Sequence, residues 1–348
     1  MLGLAPLAAA PLSDDGDRLP RITAGAIGEV VLGGTAEGEA RTAAVSPVAM
    51  LPVGGELAGV GRIEADGAGP VDVADAARAV ETVVAVAMSE PDAGSALTDL
   101  KTQLSRTDGR LLLNGNKRWS SGAGHSEAYV VYSRMDDSPG AKSIGAVVVE
   151  KGAAGFSFGK RDHHMGFRGV YSADMYFDNV EIREEDILVP AGGFSKLMDA
   201  FDLERCGNTT MSLATAQSAF DYVLHYVQER EQFGKALVDF QGVQIQIAEM
   251  KMKLEAARLL LYRAVINAES GLPSIAESSV AKCFANETAR EVTGKCVQLM
   301  GGYGYSKEYP LEQKMRDAWG WGIAGGAIDI QKVNITAALV GRRFNQRA

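Results

Sequence analysis

Four stretches of the 348-residue chain combine residue types suited to holding a ligand. Met88-Ser-Glu-Pro-Asp-Ala-Gly-Ser95 is a loop whose proline fixes its path, whose hydroxyls offer hydrogen bonds and whose glycine lets backbone approach a bound group. Lys117-Arg-Trp-Ser-Ser-Gly-Ala-Gly124 sets a large ring and two hydroxyls beside flexible glycines. Arg230-Glu-Gln-Phe-Gly-Lys235 places cations at a helix end, and Gln298-Leu-Met-Gly-Gly-Tyr-Gly-Tyr305 is a glycine-rich break after a helix. Each stretch also reads as an ordinary turn or cap. Neither glycine pattern matches the dinucleotide fingerprint between strand and helix, and neither ends in the Gly-Lys-Ser/Thr of a phosphate loop. Cys206, Cys283 and Cys296 have no metal-ligand rhythm, and four histidines offer no zinc constellation, so no metal is expected.

The elements that must position these stretches follow from the pattern of the chain. Short apolar runs separated by turns fill residues 85–190, with strands expected at Arg110 to Leu113, Ala128 to Ser133, Ile144 to Glu150 and Asp174 to Ile182. Asn114-Gly115-Asn116 reads as a hairpin turn. Strands at this spacing imply a compact β-barrel or sandwich. From Gly193 onward apolar residues recur three and four apart over Phe194 to Glu231, Gln241 to Ser270 and Ile275 to Met300, which implies an antiparallel helical bundle. The expected organisation is therefore α+β and multidomain: a reduced or atypical N-terminal region over 1–84, a β-barrel domain over 85–190 and a helical bundle over 191–348.

Composition narrows the function classes. With 46% hydrophobic and 23% charged residues, the chain is long enough to bury sizeable cores. A formal net charge of −9 argues against a nucleic-acid partner, which needs a basic surface. No apolar run approaches ~18 residues, and the first ten residues lack the basic flank of a secretory signal, so no membrane association and a cytoplasmic location are expected. The acidity is concentrated at the front: residues 1–84 hold five basic and twelve acidic side chains, and the first aromatic residue is Trp119. Asp72 to Ala87 fits either a helix capped by Asp72 or a helix start running into a buried strand.

The order and spacing of the motifs resemble the flavin-dependent acyl-CoA dehydrogenases from about residue 85 to 344. The resemblance rests on Ser-Glu-Pro-Asp-Ala-Gly-Ser95, Lys117-Arg-Trp-Ser-Ser-Gly, Met165-Gly-Phe-Arg-Gly, Phe177-Asp-Asn-Val, Phe201-Asp-Leu-Glu-Arg205, Glu229-Arg-Glu-Gln-Phe-Gly-Lys235, Gly301-Gly-Tyr-Gly-Tyr, Tyr309-Pro-Leu-Glu and Arg316-Asp-Ala. It implies an N-terminal helical domain, a central β-barrel, a C-terminal four-helix bundle and FAD as cofactor. Met88, Ser89, Trp119 and Ser121 are then expected to line the isoalloxazine ring, with Ser89 near the reactive nitrogen and Trp119 packed on the ring. Arg230, Gln232, Phe233, Gln298 and Gly302 are expected to hold the pyrophosphate and adenine of a neighbouring subunit's cofactor, which makes a homodimer or homotetramer part of the site. Ser95, Asp202 and Arg205 match positions that contact the acyl-CoA.

The expected reaction removes an α-proton while the β-hydrogen leaves as hydride, giving the trans-2-enoyl-CoA and passing electrons to an electron-transfer flavoprotein. Most members of that family place the catalytic glutamate in a segment that here reads Gly325-Gly-Ala-Ile-Asp329, so the base position falls on Gly325. The isovaleryl-type members supply it from an Asp-Leu-Glu-Arg sequence, which Asp202-Leu-Glu204-Arg205 reproduces. The resemblance thus implies Glu204 as general base and the Gly325 backbone N–H as donor to the thioester oxygen. Family members usually carry a longer helical domain before the Ser-Glu-Pro loop, so this region is reduced or a partner chain supplies the missing wall. Two alternatives stay open: another acyl-CoA elimination such as desulfination, and a non-catalytic subunit of a heteromer.

Overall fold

In a computed structural model of the protein, the described residues are 29–31, 42–44, 84–268 and 271–344. Most of the region expected to be atypical, including residues 72–83, lies outside them. Glu29–Val31 (β1) and Thr42–Ala44 (β2) pair antiparallel.

An eight-stranded mixed sheet comes next: Val84–Ala87 (β3), Gln103–Thr107 (β4), Arg110–Ser121 (β5), Ala128–Arg134 (β6), Ile144–Glu150 (β7), Phe156–Arg161 (β8), Ser172–Ile182 (β9) and Ile187–Val189 (β10). The strands pair in the order β10-β7-β6-β4-β5-β9-β8, with β3 added parallel to β6. The path is open at β8 and β10, so the pairing gives the expected β-rich layer without a closed ring. Val84 to Ala87, the described end of the ambiguous segment, is strand.

β6 explains why its sequence reads as a continuous apolar run. Tyr129 and Val131 pack with Val147, Met175 and Phe177 on one face, while Val130 and Tyr132 pack with Ile144, Ala146 and Leu197 on the other. A strand covered on both faces loses the polar alternation of a half-buried one. Leu197 belongs to the first long helix, so this second face is where the sheet meets the helices.

The hairpin expected at Asn114-Gly115-Asn116 is displaced. β5 runs straight through these residues, and the turn falls at Asp108 and Gly109, whose φ values of 49° and 79° suit a tight two-residue connection between β4 and β5. Gly115 serves a different need. Its φ is 142°, the register shifts beside it, and a Cβ there would lie 2.6 Å from Thr102 Cα. The residue is a close-approach glycine inside a strand rather than a turn glycine.

Six helices follow: Phe194–Glu229 (α1), Gln241–Ile266 (α2), Ile275–Met300 (α3), Gly302–Tyr305 (α4), Leu311–Trp321 (α5) and Ile328–Val340 (α6). α1 ends two residues before the expected Glu231, because Arg230 turns extended to enter a hairpin of Glu231–Gln232 (β11) and Lys235–Ala236 (β12). α2 stops at Ile266, four residues before the expected Ser270, with Asn267 as its cap. α3 begins on an N-cap in which Ser274 Oγ accepts the Glu277 N–H, and it ends at Gly301 with φ 59°. Leu213, Phe220 and Val223 of α1 pack with Met250 and Leu254 of α2 and with Val292, Cys296 and Met300 of α3 to form the helical core. Nearer its N-terminus α1 buries polar residues instead: Asp202, Arg205, Asn208, Thr209 and Ser212. Opposite them α3 buries Ser278, Ser279, Lys282 and Asn286, so a polar seam runs between the two helices.

Candidate active site

One end of that polar seam opens into a cavity of about 3140 Å³ between sheet and helices. Nine sequence-predicted residues line it: Met88, Ser89, Ser95, Trp119 and Ser121 from the sheet side, and Asp202, Glu204, Arg205 and Gly325 from the helical side. Arg230, Gln232, Gln298 and Gly302 line a separate cavity of about 540 Å³. Phe233 touches neither and stands 95% exposed at the tip of the β11–β12 hairpin.

The two sheet loops are fastened to each other by a buried ion pair. Lys117, 0% exposed, donates from Nζ to Glu90 Oε1 at 2.8 Å and to the Met88 carbonyl at 3.0 Å. Glu90 also accepts the backbone N–H groups of Lys101 at 2.5 Å and Thr102 at 3.0 Å, and the Arg118 N–H reaches the Ser89 carbonyl at 2.9 Å. Burial would raise the Glu90 carboxyl, but the Lys117 charge and these hydrogen bonds hold it below the usual range. Burial pushes the Lys117 ammonium down to about 8 against the pull of Glu90. Both residues sit inside the recognised motifs, but they lie 27 positions apart and nothing in the spacing signals that they pair.

Trp119 shows what the pair positions. β5 shifts register between Lys117 and Ser120, and Trp119 takes a φ of 60°, so its ring stands 54% exposed at the cavity, 4.5 Å from the Arg118 guanidinium and 5.5 Å from the His164 ring. A bulge re-aims a side chain, and left-handed backbone in a bulky residue costs of order 1–3 kcal/mol. Phe167 and Phe233 are held the same way, at φ 54° and 53°. Three aromatic residues therefore carry backbone strain, two on the main cavity and one at the exposed hairpin tip.

Phe167 comes from the Met165-Gly-Phe loop, and α5 explains both of those motifs at once. The Phe167 N–H donates to Asp317 Oδ1 at 2.7 Å, Arg316 donates to the Met165 carbonyl at 2.5 Å, and the Phe167 ring packs 4.4 Å from Trp321. A Cβ on Gly166 would lie 2.6 Å from Asp317 Oδ1, so only glycine lets the loop lie on the helix.

On the helical side, Asp202 and Arg205 pair with each other, and Ser278 Oγ donates to Asp202 at 3.0 Å. Glu204 is left without a hydrogen-bond partner for its buried Oε2. A Cβ built on Gly325, φ 65°, would lie 3.0 Å from that oxygen. The two positions that the sequence offers for a base are thus neighbours in space: glycine at 325 leaves the volume into which the Glu204 carboxylate extends. Burial pushes the Glu204 carboxyl up to about 7, against the opposing charges of Lys282 and Arg205. An orphaned carboxylate with this titration, set in a cavity wall, is equipped to take a proton near neutral pH. Asp329 is exposed and does not line the cavity.

Sequence reasoning missed Lys282 and Asn208. Both lie in helices whose periodicity reads as apolar inside and charged outside, so a buried lysine leaves no signal. Among the described residues, no group of three or more His, Cys, Asp or Glu side chains could hold a metal ion, and no helix is long and apolar enough to cross a membrane.

Comparison with known proteins finds two family descriptions along the chain: acyl-CoA dehydrogenase, middle domain, over residues 85–180, and acyl-CoA dehydrogenase, C-terminal domain, over residues 191–340. The short/branched chain specific acyl-CoA dehydrogenase of Rattus norvegicus mitochondria is 39% identical over 245 residues, 70% of this chain and 57% of that protein. The 3-sulfinopropanoyl-CoA desulfinase of Cupriavidus necator is 36% identical over 269 residues, 75% of this chain and 68% of that protein. Among solved structures, butyryl-CoA dehydrogenase from Megasphaera elsdenii superposes with a TM-score of 0.73 at 34% identity, covering 74% of this chain and 68% of that one.

Proposed function

The chain belongs to the acyl-CoA dehydrogenase family, and from that premise we propose that it is an FAD-dependent enzyme that dehydrogenates an acyl-CoA thioester to the trans-2-enoyl-CoA. The observation that carries the proposal is the unpartnered Glu204 Oε2 beside Gly325 at the cavity wall. FAD fits the residues present: an aromatic ring held exposed by strained backbone, hydroxyls at Ser89 and Ser121, and a cavity large enough for a flavin and a thioester together. When bound, it supplies the acceptor for the hydride that leaves the β-carbon.

Glu204 removes the α-proton at Oε2. Its raised pKa makes it a stronger base than an exposed glutamate while leaving much of it ionised at neutral pH. The Gly325 N–H donates to the thioester oxygen, where negative charge develops, a role that needs backbone alone. Trp119 would hold the flavin ring, and the Glu90–Lys117 pair keeps the two loops that carry Ser89 and Trp119 in register. Asp202, Arg205 and Ser95 contact the CoA-bearing part of the substrate. Arg230, Gln232, Phe233, Gln298 and Gly302, grouped away from the main cavity, bind the pyrophosphate and adenine of a cofactor seated mainly in a second copy of the chain, which makes the enzyme a homodimer or homotetramer. An electron-transfer flavoprotein would be the electron acceptor.

Desulfination is the second reading, favoured by the similarity to the Cupriavidus desulfinase. The base-ready Glu204 supports dehydrogenation over it. The test is the visible spectrum of the purified protein, followed by anaerobic addition of a panel of acyl-CoAs. A yellow protein bleached by a short or branched acyl-CoA is the expected result. Sulfite release without bleaching would install the second reading, and a protein that takes up FAD only with another chain would make it a non-catalytic subunit.

A further inference from the structure

Lys282 is 0% exposed, and it forms no ion pair among the described residues. Its ammonium donates to Asn208 Oδ1 at 3.0 Å, to the Trp321 carbonyl at 2.9 Å and to the Ala324 carbonyl at 2.8 Å. Three oxygen acceptors match the three N–H donors of the protonated amine, so the site is built for the charged form. Asn208 reinforces the clamp by donating to the same two carbonyls at 3.2 and 3.3 Å, and Asn286 in turn donates to Asn208 Oδ1 at 3.2 Å.

The clamped carbonyls belong to the C-terminal end of α5 and the turn that leads directly into Gly325. Unsatisfied carbonyls at a helix C-terminus attract a cation, and here the cation is internal to the fold. Asn208 Nδ2 lies 3.5 Å from the position of a Gly325 Cβ, and Glu204 Oε2 lies 3.0 Å from it, so clamp and carboxylate flank the same glycine. The charged groups facing Glu204 are Lys282 from α3 and Arg205 from its own helix, and Arg205 is committed to Asp202. Lys282 is itself faced by Arg205, Arg290 and the Cys283 thiol.

We propose that Lys282 is a positioning residue for proton abstraction: its buried ammonium clamps the Trp321–Ala324 turn to α1, fixing the Gly325 N–H beside Glu204, and supplies a positive charge that favours the ionised carboxylate. All its hydrogen bonds go to the turn and to Asn208, so it stabilises the carboxylate through space and leaves Oε2 free to accept a proton. The inference rests on the reading of Glu204 as the base.

The test is the titration of Glu204, followed as the infrared carboxylic-acid band of the purified protein that Glu204→Gln removes, alongside the pH profile of kcat/KM. In Lys282→Met the midpoint and the acid limb should both move up by about one pH unit, the size of a tenfold change in proton affinity. A merely structural role would lower the rate at every pH and leave both midpoints in place, and that result overturns the proposal. Should Lys282→Met fail to fold, Lys282→Gln removes the charge while keeping N–H donors for the Trp321 and Ala324 carbonyls, and should move the Glu204 midpoint in the same direction; an unmoved midpoint there overturns the proposal equally. Failure of the underlying reading would look different, with Glu204→Gln bleaching at the wild-type rate.

Discussion

Replacing Lys117 by methionine tests whether the two cofactor loops are one mechanical unit. The substitution keeps most of the side-chain volume and removes the charge, leaving Glu90 buried without its cation. Breaking a buried pair from one side costs about 3–5 kcal/mol. Glu90 keeps two backbone N–H donors, from Lys101 and Thr102, which places the expected loss near the lower end, at about 3 kcal/mol. At ~2–4 °C per kcal/mol for a folded unit of this size, the melting temperature should fall by roughly 6–12 °C. The assay is thermal unfolding of wild type, Lys117→Met, Glu90→Gln and the double variant. The double variant should lose clearly less than the two single losses added together, because removing both partners leaves no unpaired charge. Lys117→Met melting within ~2 °C of wild type, or strict additivity in the cycle, would refute the reasoning.

Four further outcomes follow from the structure. The kcat/KM for dehydrogenation should rise with pH and level off above about 7, because the base acts ionised and the Glu204 carboxyl is pushed up to about 7 by burial; an acid limb near the ordinary 4.5 would contradict this. The same shift has a stability consequence of defined sign: between 4.5 and about 7 the folded protein keeps a proton that the unfolded chain releases, so the contribution of this group falls as pH rises through that window, and denaturant titrations of Glu204→Gln should lack that slope. Gly325→Ala combines a φ of 65° with a Cβ 3.0 Å from Glu204 Oε2 and should lower the rate about tenfold, since ~1 Å of misplacement costs about a hundredfold, with a stability loss of about 1–2 kcal/mol that urea titration reads. Gly115→Ala, by contrast, drives a Cβ to 2.6 Å from Thr102 Cα and should destabilise by about 1–3 kcal/mol, measured by the same titration, without moving the pH profile.

Much of the framework was legible because it depends on periodicity. Ile144 to Glu150 and Ile275 to Met300 fall where their apolar patterns and flanking signals put them, and the glycine pair after Met300 ends its helix. Local turn chemistry misled where tertiary contact overrode it: Asn114-Gly115 looks like a hairpin turn, but the glycine is there to let Thr102, the residue before β4, approach β5. The motifs led to the cavity residues, whereas the residues that hold them stayed hidden. Glu90 and Lys117 lie 27 positions apart and pair only once β5 is laid beside the Ser-Glu-Pro loop. Lys282 reads as a solvent-facing charge, because a single sequence does not reveal that the opposing helix presents asparagine and serine rather than leucine. The strain at Trp119 is likewise a property of a register shift that no composition or spacing announces.

The most direct test of the central claim is the rate at which an acyl-CoA bleaches the FAD-loaded enzyme in anaerobic rapid mixing, compared between wild type and Glu204→Gln. Glutamine keeps the shape beside Gly325 and removes the base. A fall of about 10²–10⁴-fold, with FAD content and thermal stability preserved, is the predicted result. Bleaching at the wild-type rate would contradict the assignment of proton abstraction to Glu204.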